Sequence, residues 1–461
     1  MRVLFVSGSY SNFYAIDNVV RELFRRGHEA RLIAGMEKKQ TISDDALRNA
    51  MAAHPNFVVD PLSQRRHGKN IARYLREALN YAHVLNDEEK RQWDLVKWER
   101  SFPAWLWRFL NTQPVRRKLK DRSFQARLRE MERKIPVDTD IRKEIQRHNP
   151  DVVLLMPLLH PNSRETEYMR AARSLGIPTV YYLVSWDNLA STGTFHGYPD
   201  YSIVWNEPLA DELTLLHDFP RNRTYFTGAP RFSYLFENPQ HDILPKDLFH
   251  QQAGLDVGKP YLLYVCSTFL VRTDHHKELN EGTLILKLSD AFEGDPRTRD
   301  MVILVRPHPT NLGFVSKILD QKRPNIKVFP INGEIPDTEE KRRRYYSSIY
   351  HATAVAGVNT TAFLEASSLD KPCITVYSEQ FFETQQLPHF HHLTDGNFLE
   401  TAQGADGLVE IVGNIRNGMD VRAGERRAFV KRFLSPCDKP APQACADALE
   451  EIVAKGKIGG A

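Results

Sequence analysis

The stretch Val355–Val376, reading VAGVNTTAFLEASSLDKPCITV, leaves its part of the chain few choices of fold. The apolar run Ala352–Val358 has the length and character of a buried strand. Asn359, Thr360 and Thr361 follow, residue types suited to a helix N-terminus. Ala362, Phe363, Leu364, Glu365 and Ala366 are then helix formers. Asp370, Lys371 and Pro372 break that helix, and Cys373–Tyr377 reads as the next buried, parallel strand. In such a strand-helix-strand unit the turn offers backbone N–H groups and hydroxyls where the helix dipole favours an anion. Glu365, about one helical turn past Thr361, suits the ribose hydroxyls of a nucleotide whose diphosphate sits at the turn. The same residues also fit an ordinary helix cap with a solvated glutamate.

A second stretch favours the nucleotide reading. Met301–Arg306, MVILVR, is an apolar strand that ends in Arg306-Pro307-His308-Pro309. The prolines stop the strand and stiffen the loop beyond it. Ligands of open α/β sheets bind at the carboxyl ends of strands. There an arginine supplies a fixed fork of donors and a histidine supplies a donor or acid.

The 461 residues suffice for two or three domains. A hydrophobic share of 41% and a charged share of 26% describe a soluble globular protein. A net charge of +4 is too small to point to nucleic acid. The four cysteines show no metal-ligand spacing. Cys266 and Cys373 fall in strand runs and are expected in the core. Cys437 and Cys445 are the two expected to be accessible, though not paired. Met1-Arg2 leads straight into a strand without a cleavage pattern, and no apolar run approaches the roughly 20 residues of a membrane span. The expected setting is cytoplasmic, soluble or peripheral at the inner face of a membrane.

In chain order, Val3–Val6 is a strand, Ser7–Asn12 a small polar loop, Tyr14–Arg26 an amphipathic helix and Glu29–Ala34 a strand. The loop lacks a complete GxGxxG, so it is not read as a dinucleotide site. Its Ser9 and Tyr10 are candidates for meeting an acceptor. Residues 63–146 read as a basic helical insertion. Its centre, Phe102–Leu110, is aromatic and precedes the cluster Arg116-Arg117-Lys118-Leu119-Lys120. This fits either an interfacial helix on anionic lipid or the core of a helical insertion with a solvated basic face. Asp151–Leu159 is a strand ending at His160, and Thr179–Val184 a strand ending in Ser185-Trp186-Asp187-Asn188. Tyr261–Val265 opens a second α/β domain, with a helix expected over Glu278–Phe292. His389-Phe390-His391-His392 is read as a loop near substrate rather than a metal site. The expected domains are 1–240, holding the acceptor, 241–420, holding the nucleotide donor, and C-terminal helices over 421–461 that pack back on the first domain.

Two Rossmann-like halves with the phosphate features in the second resemble the GT-B class of nucleotide-sugar glycosyltransferases. SWDNLASTG (Ser185–Gly193) and TGAPRF (Thr227–Phe232) are similar to a group of bacterial surface-polysaccharide glycosyltransferase-like proteins. His308-Pro309 resembles the HP motif of bacterial sialyltransferases and CDP-glycerol glycerophosphotransferases, and Asn359-Thr360-Thr361 resembles their Ser/Thr pair. The acidic motif of the sialyltransferases has no counterpart in the N-terminal half; Thr394-Asp395-Gly396 lies in the other half.

The resemblance implies an α/β protein of GT-B fold, two doubly wound domains facing across a cleft. It implies a glycosyltransferase without metal or cofactor, since protein donors take up the charge of the leaving diphosphate. Arg306, His308, Asn359, Thr360 and Thr361 would hold the phosphates and Glu365 the ribose, with His308 also catalytic. Asp187 or His160 would be the base toward an acceptor hydroxyl. Trp186 would offer a face to a sugar ring, with Asn188 beside it; Asp187 could equally form a turn with Asn188. The expected partners are a nucleotide-activated donor, a glycan or lipid-linked acceptor and an anionic membrane surface, with no nucleic acid. Transfer of a polyol phosphate from a CDP-alcohol and a non-catalytic scaffold of polysaccharide assembly are the alternatives.

Overall fold

The computed structural model describes residues 1–35, 45–66, 68–86, 98–237, 239–268, 281–377 and 381–456. They divide into two compact units. One is Met1–Ser233 with Phe433–Ala461, the other Tyr234–Arg432.

The first unit is built on a parallel sheet of β1 (Arg2–Ser7), β2 (Glu29–Ala34), β3 (Val58–Pro61), β4 (Val152–Met156), β5 (Thr179–Tyr182), β6 (Tyr201–Val204) and β7 (Thr224–Phe226). Its spatial order is β3-β2-β1-β4-β5-β6-β7, so the order reverses between β1 and β4. The registers Ser7↔Met156 and Ser7↔Ala34 put the carboxyl ends of β1, β2 and β4 on one edge. β4 is an unbroken apolar run because helices cover both faces of a parallel sheet. The helices of this unit are α1 (Asp17–Arg25), α2 (Asp45–Ala53), α3 (Lys69–Asn86), α4 (Ala104–Leu110), α5 (Gln113–Lys120), α6 (Arg122–Arg133), α7 (Thr139–His148), α8 (Glu165–Ser174) and α9 (Glu207–His217), shorter turns being left unnumbered.

The described chain between β3 and β4 is helical, α3 to α7. Tyr81, Val84, Leu85, Trp98, Phe102, Leu110 and Leu119 form a small core of their own there. The aromatic run is divided: Phe102 and Leu110 are buried, whereas Trp105 and Phe109 are exposed. Neither sequence reading of that run holds for all of it, because a single turn of helix carries both faces.

The second unit has β8 (Tyr261–Val265), β9 (Val302–Arg306), β10 (Ile326–Val328), β11 (Ala354–Gly357), β12 (Cys373–Tyr377) and β13 (Leu399–Gln403), ordered β10-β9-β8-β11-β12-β13 and again parallel. The order reverses between β8 and β11. Its helices include α10 (Lys246–Ala253), α11 (Glu281–Gly294), α12 (Glu339–Tyr350), α13 (Ala362–Ser368), α14 (Gly404–Arg416) and α15 (Ala423–Phe429). The expected start of α11 at Glu278 lies outside the described residues.

The last helix, α16 (Ala441–Lys455), belongs to the first unit. Its Cys445, Ala446, Leu449 and Ile452 share one core with Val3 and Phe5 of β1 and Val19, Val20 and Leu23 of α1. Cys445 is therefore fully buried, against the expectation that it is accessible. Among the described residues no helix is long and apolar enough to cross a membrane.

Candidate functional site

In doubly wound sheets the crevice for a ligand opens where the strand order reverses. In the second unit that place is the carboxyl edge of β8 and β11. Gly357 ends β11, and a Cβ there would lie 2.6 Å from the Val265 carbonyl oxygen, so glycine lets the two strands close. Beyond them, the Asn359 N–H approaches the Ser267 hydroxyl (3.5 Å) and the Asn359 amide donates to the Thr384 carbonyl (2.8 Å). The Thr360 hydroxyl accepts from the Ala362 N–H (3.2 Å), while Thr361 makes no side-chain cap bond to α13. This helix has only seven residues. Its dipole is correspondingly short, so the polar side chains around it carry more of any anion binding.

β9 brings Arg306 beside Val265. Arg306 is 4% exposed, its guanidinium lying over the Tyr345 ring (4.6 Å) and donating to the Glu334 carbonyl (2.8 Å). Its other terminal nitrogen is buried with no hydrogen-bond partner among the described residues. Burial draws the Arg306 pKa below its usual value. Such a cation stays compatible with burial only while acceptors stay close. The proline loop after it is seated by Gly333, at φ +60°, where a Cβ would fall 2.8 Å from the Pro309 nitrogen. His308 follows, half-buried. Its Nδ1 accepts from the Thr310 N–H (3.3 Å) and lies 2.8 Å from the Thr310 hydroxyl. That backbone donor assigns the ring proton to Nε2. Burial, and then the neighbouring Arg306 charge, lower the His308 pKa from 6.5, so the ring is neutral near pH 7 and presents Nε2–H as a donor.

Ser267, at the end of β8, joins these pieces: its carbonyl accepts from the Asn311 amide (3.3 Å), and its N–H donates to Glu281 (2.8 Å). Glu281 also accepts from the Tyr264 hydroxyl (3.1 Å), and burial pushes its pKa up to about 7. Glu365 is buried at 4% exposed on α13. It lies near Tyr346 of α12, whose hydroxyl is raised well above 10 by burial first, with Tyr234 and Glu365 adding to it. Tyr346 and Tyr234 share a hydrogen bond.

In the first unit the reversal lies between β1 and β4, and it brings the Ser9–Tyr10 loop and the His160 turn to adjacent strand ends. Ser9 accepts from the Ser11 N–H (3.1 Å), and Tyr10 is buried. His160 is exposed in a turn closed by its N–H on Pro157 (3.1 Å). Asp187 is half-exposed after β5, and its carbonyl takes the Ser191 hydroxyl (2.7 Å). Trp186 is 2% exposed, so no face of its ring is open to a sugar: the apolar ring gains more in the core than in water. Asn188 is buried too. It closes the turn itself by accepting from the Ser185 N–H (3.0 Å), and Asp187 makes no such bond.

Two buried carboxylates that the sequence reading did not single out hold this edge. Glu165 accepts from the Ser163 hydroxyl (2.7 Å) and from Gly8, whose Cβ would sit 2.7 Å from its Oε1. Glu77, on α3, accepts from the Asn162 N–H (2.7 Å); its Oε2 has no hydrogen-bond partner among the described residues. Burial raises both pKa values. Asn80, one helical turn beyond Glu77, accepts from the Thr194 N–H (3.0 Å). Helix α3 thus fixes the loops that follow β4 and β5.

No family model and no curated protein matches the chain. Solved structures do. UDP-GlcNAc 2-epimerase from Neisseria meningitidis, bound to UDP-GlcNAc, superposes with a TM-score of 0.55 at 12% identity, over 98% of this chain and 100% of that one. A glycosyltransferase from Rickettsia africae gives 0.54 at 10% identity, over 98% of each chain. MnaA of S. aureus with UDP gives 0.53 at 11% identity, over 100% of this chain and 99% of that one. The chain has the GT-B fold. At such identities the likeness is one of fold, and function rests on the residues at the site.

Within this GT-B fold, the Asn311 amide and the Asn359 N–H both reach Ser267. Arg306 ends β9 and His308 lies on the loop after it, and Thr360, Thr361 and Glu365 lie on the turn and helix after β11. Nothing local in the sequence announced Ser267, Glu281 or Glu77. Each is a common residue type whose importance comes from what folding packs against it.

Proposed function

We propose that the protein is a nucleotide-sugar glycosyltransferase acting in cell-surface polysaccharide biosynthesis. In this reading the second unit holds the nucleotide donor. The His308 Nε2–H, Asn359, Thr360, Thr361 and Arg306 take up the negative charge that grows on the diphosphate as the sugar–oxygen bond breaks. Glu365 accepts from the ribose hydroxyls. Asp187 or His160 removes the proton of an acceptor hydroxyl on a glycan or lipid-linked substrate. The observation that carries the reading is His308 on the loop after β9, its Nδ1 accepting from the Thr310 N–H so that Nε2–H is left as a donor.

Calorimetry with UDP, CDP, GDP and CMP, then with the matching nucleosides, tests it. His308→Ala should weaken the best nucleoside diphosphate roughly tenfold or more, a charge-assisted bond being worth about 1.5–3 kcal/mol. Nucleoside binding should be unchanged. Equal affinities of variant and wild type for the diphosphate would refute the phosphate assignment.

Epimerisation of a nucleotide sugar is the second reading, favoured by the epimerases among the structural neighbours. Incubation with UDP-GlcNAc and no acceptor separates the two: an isomerised nucleotide sugar supports epimerisation, whereas acceptor-dependent release of nucleoside diphosphate supports transfer. Release of a nucleoside monophosphate from a CDP-alcohol would favour polyol-phosphate transfer, and binding without turnover a scaffold.

A further inference from the structure

We propose that helix α4, with the basic helix α5 that follows it, docks this protein on an anionic lipid bilayer. The two faces of α4 differ. Trp107 packs inward, its ring 5.0 Å from that of Tyr81 and 6.4 Å from that of Phe102, and Leu110 is buried with them. Trp105 and Phe109 face the other way, 70% and 57% exposed. Their spacing of one helical turn puts them side by side, with the exposed Arg108 on the same face. Lone exposed apolar residues are ordinary. Two large aromatics beside one another on a helix already anchored by its opposite face form an apolar patch.

The charge pattern selects the occupant. From Ala104 to Lys120 the charged residues are Arg108, Arg116, Arg117, Lys118 and Lys120, five cations and no carboxylate, against a net +4 for the whole chain. Arg108, Arg117, Lys118 and Lys120 are exposed. Indole and phenyl rings enter the headgroup region of a bilayer, and lysine and arginine beside them meet anionic headgroups. A protein partner of matching charge would present carboxylates but would also need a shaped apolar pocket for two rings. A bilayer accepts them without one.

This goes beyond the proposed reaction and does not depend on it, so its test uses no nucleotide. The full chain is mixed with phosphatidylcholine vesicles with and without phosphatidylglycerol and sedimented. We expect pelleting with the anionic vesicles, weakening as salt rises, and quenching of tryptophan emission by brominated lipid. Trp105→Ser with Phe109→Ser should lower vesicle affinity about tenfold or more, with circular dichroism unchanged. Arg117→Gln with Lys118→Gln and Lys120→Gln should reduce the preference for phosphatidylglycerol. Should the serine pair unfold the chain, Trp105→Tyr keeps an amphipathic ring and should retain binding while losing most of the lipid quenching. The proposal fails if the wild type stays in the supernatant with anionic vesicles, or if a folded serine pair pellets as the wild type does. It also fails if light scattering shows that the patch covers a second copy of the chain, the dimer being lost in the same variant.

Discussion

Glu281 is the residue whose chemistry the fold alters most visibly. Its pKa moves from 4.5 to about 7, first because it is buried, with the Ser267 and Tyr264 donors opposing the rise. The folded chain therefore keeps a proton between those values that the unfolded chain has released. Stability from this group is full below pH 4.5 and is lost as pH rises through 7, at about 1.4 kcal/mol per pH unit across the window. Glu281→Gln cannot release that proton. Urea unfolding at pH 5, 6, 7 and 8 should show the variant gaining on the wild type with each step and levelling above 7; parallel curves would mean that Glu281 titrates as an ordinary carboxyl. His308 runs the opposite way. Its lowered pKa means that its contribution to stability falls as pH drops below 6.5, where the unfolded ring takes up a proton more readily than the buried one. Neither shift is legible in the sequence, because burial, the first cause of each, depends on which residues distant along the chain pack around the group.

At the scale of elements, the helices between β3 and β4 are bound to α8 by a buried ion network. Arg76 of α3 bonds to Glu132 of α6 (2.7 Å) and Glu167 of α8 (2.7 Å), Arg65 to Glu167 (2.9 Å), and Arg170 to Glu132 (2.8 Å). Removing one partner of a buried pair leaves an uncompensated charge. Glu132→Ala should cost about 3–5 kcal/mol by urea denaturation. Glu130→Ala, which loses only the exposed contacts to Arg133 and Lys134, should stay within about 0.5 kcal/mol. The apolar strands are legible in the sequence: β1, β2, β4, β5, β8, β9, β11 and β12 all fall in runs that read as strands, and β4, β8, β9 and β12 are buried almost throughout. β3 and β13 escaped notice. VVDP and LETAQ sit at sheet edges, so half their residues face water and carry no continuous apolar signal. α12, EEKRRRYYSSIY, hides its buried face behind tyrosines and serines.

For the whole molecule the two units differ in how the chain builds them. Tyr234–Arg432 is continuous, whereas the first unit is completed only by Phe433–Ala461. A fragment spanning 234–432 should fold alone and, if the donor reading holds, bind the same nucleoside diphosphate as the full chain. Ending the chain at Arg432 removes Leu449 and Ile452 from the first core, at about 2–5 kcal/mol for each buried aliphatic lost. Calorimetric melting of that truncation should retain only the transition of the second unit; an intact first transition would show that α16 is dispensable. The sequence by itself determined the parallel α/β character and the strand ends at which Arg306, His308 and Asn359 lie, because apolar runs, prolines and helix caps act through near neighbours. Only tertiary structure decided that Trp186 and Cys445 are buried, that Trp105 is exposed, and that Glu281, Glu165 and Glu77 brace the loops. Those outcomes depend on which distant surfaces meet, and water exclusion at such contacts leaves no local trace in the order of residues.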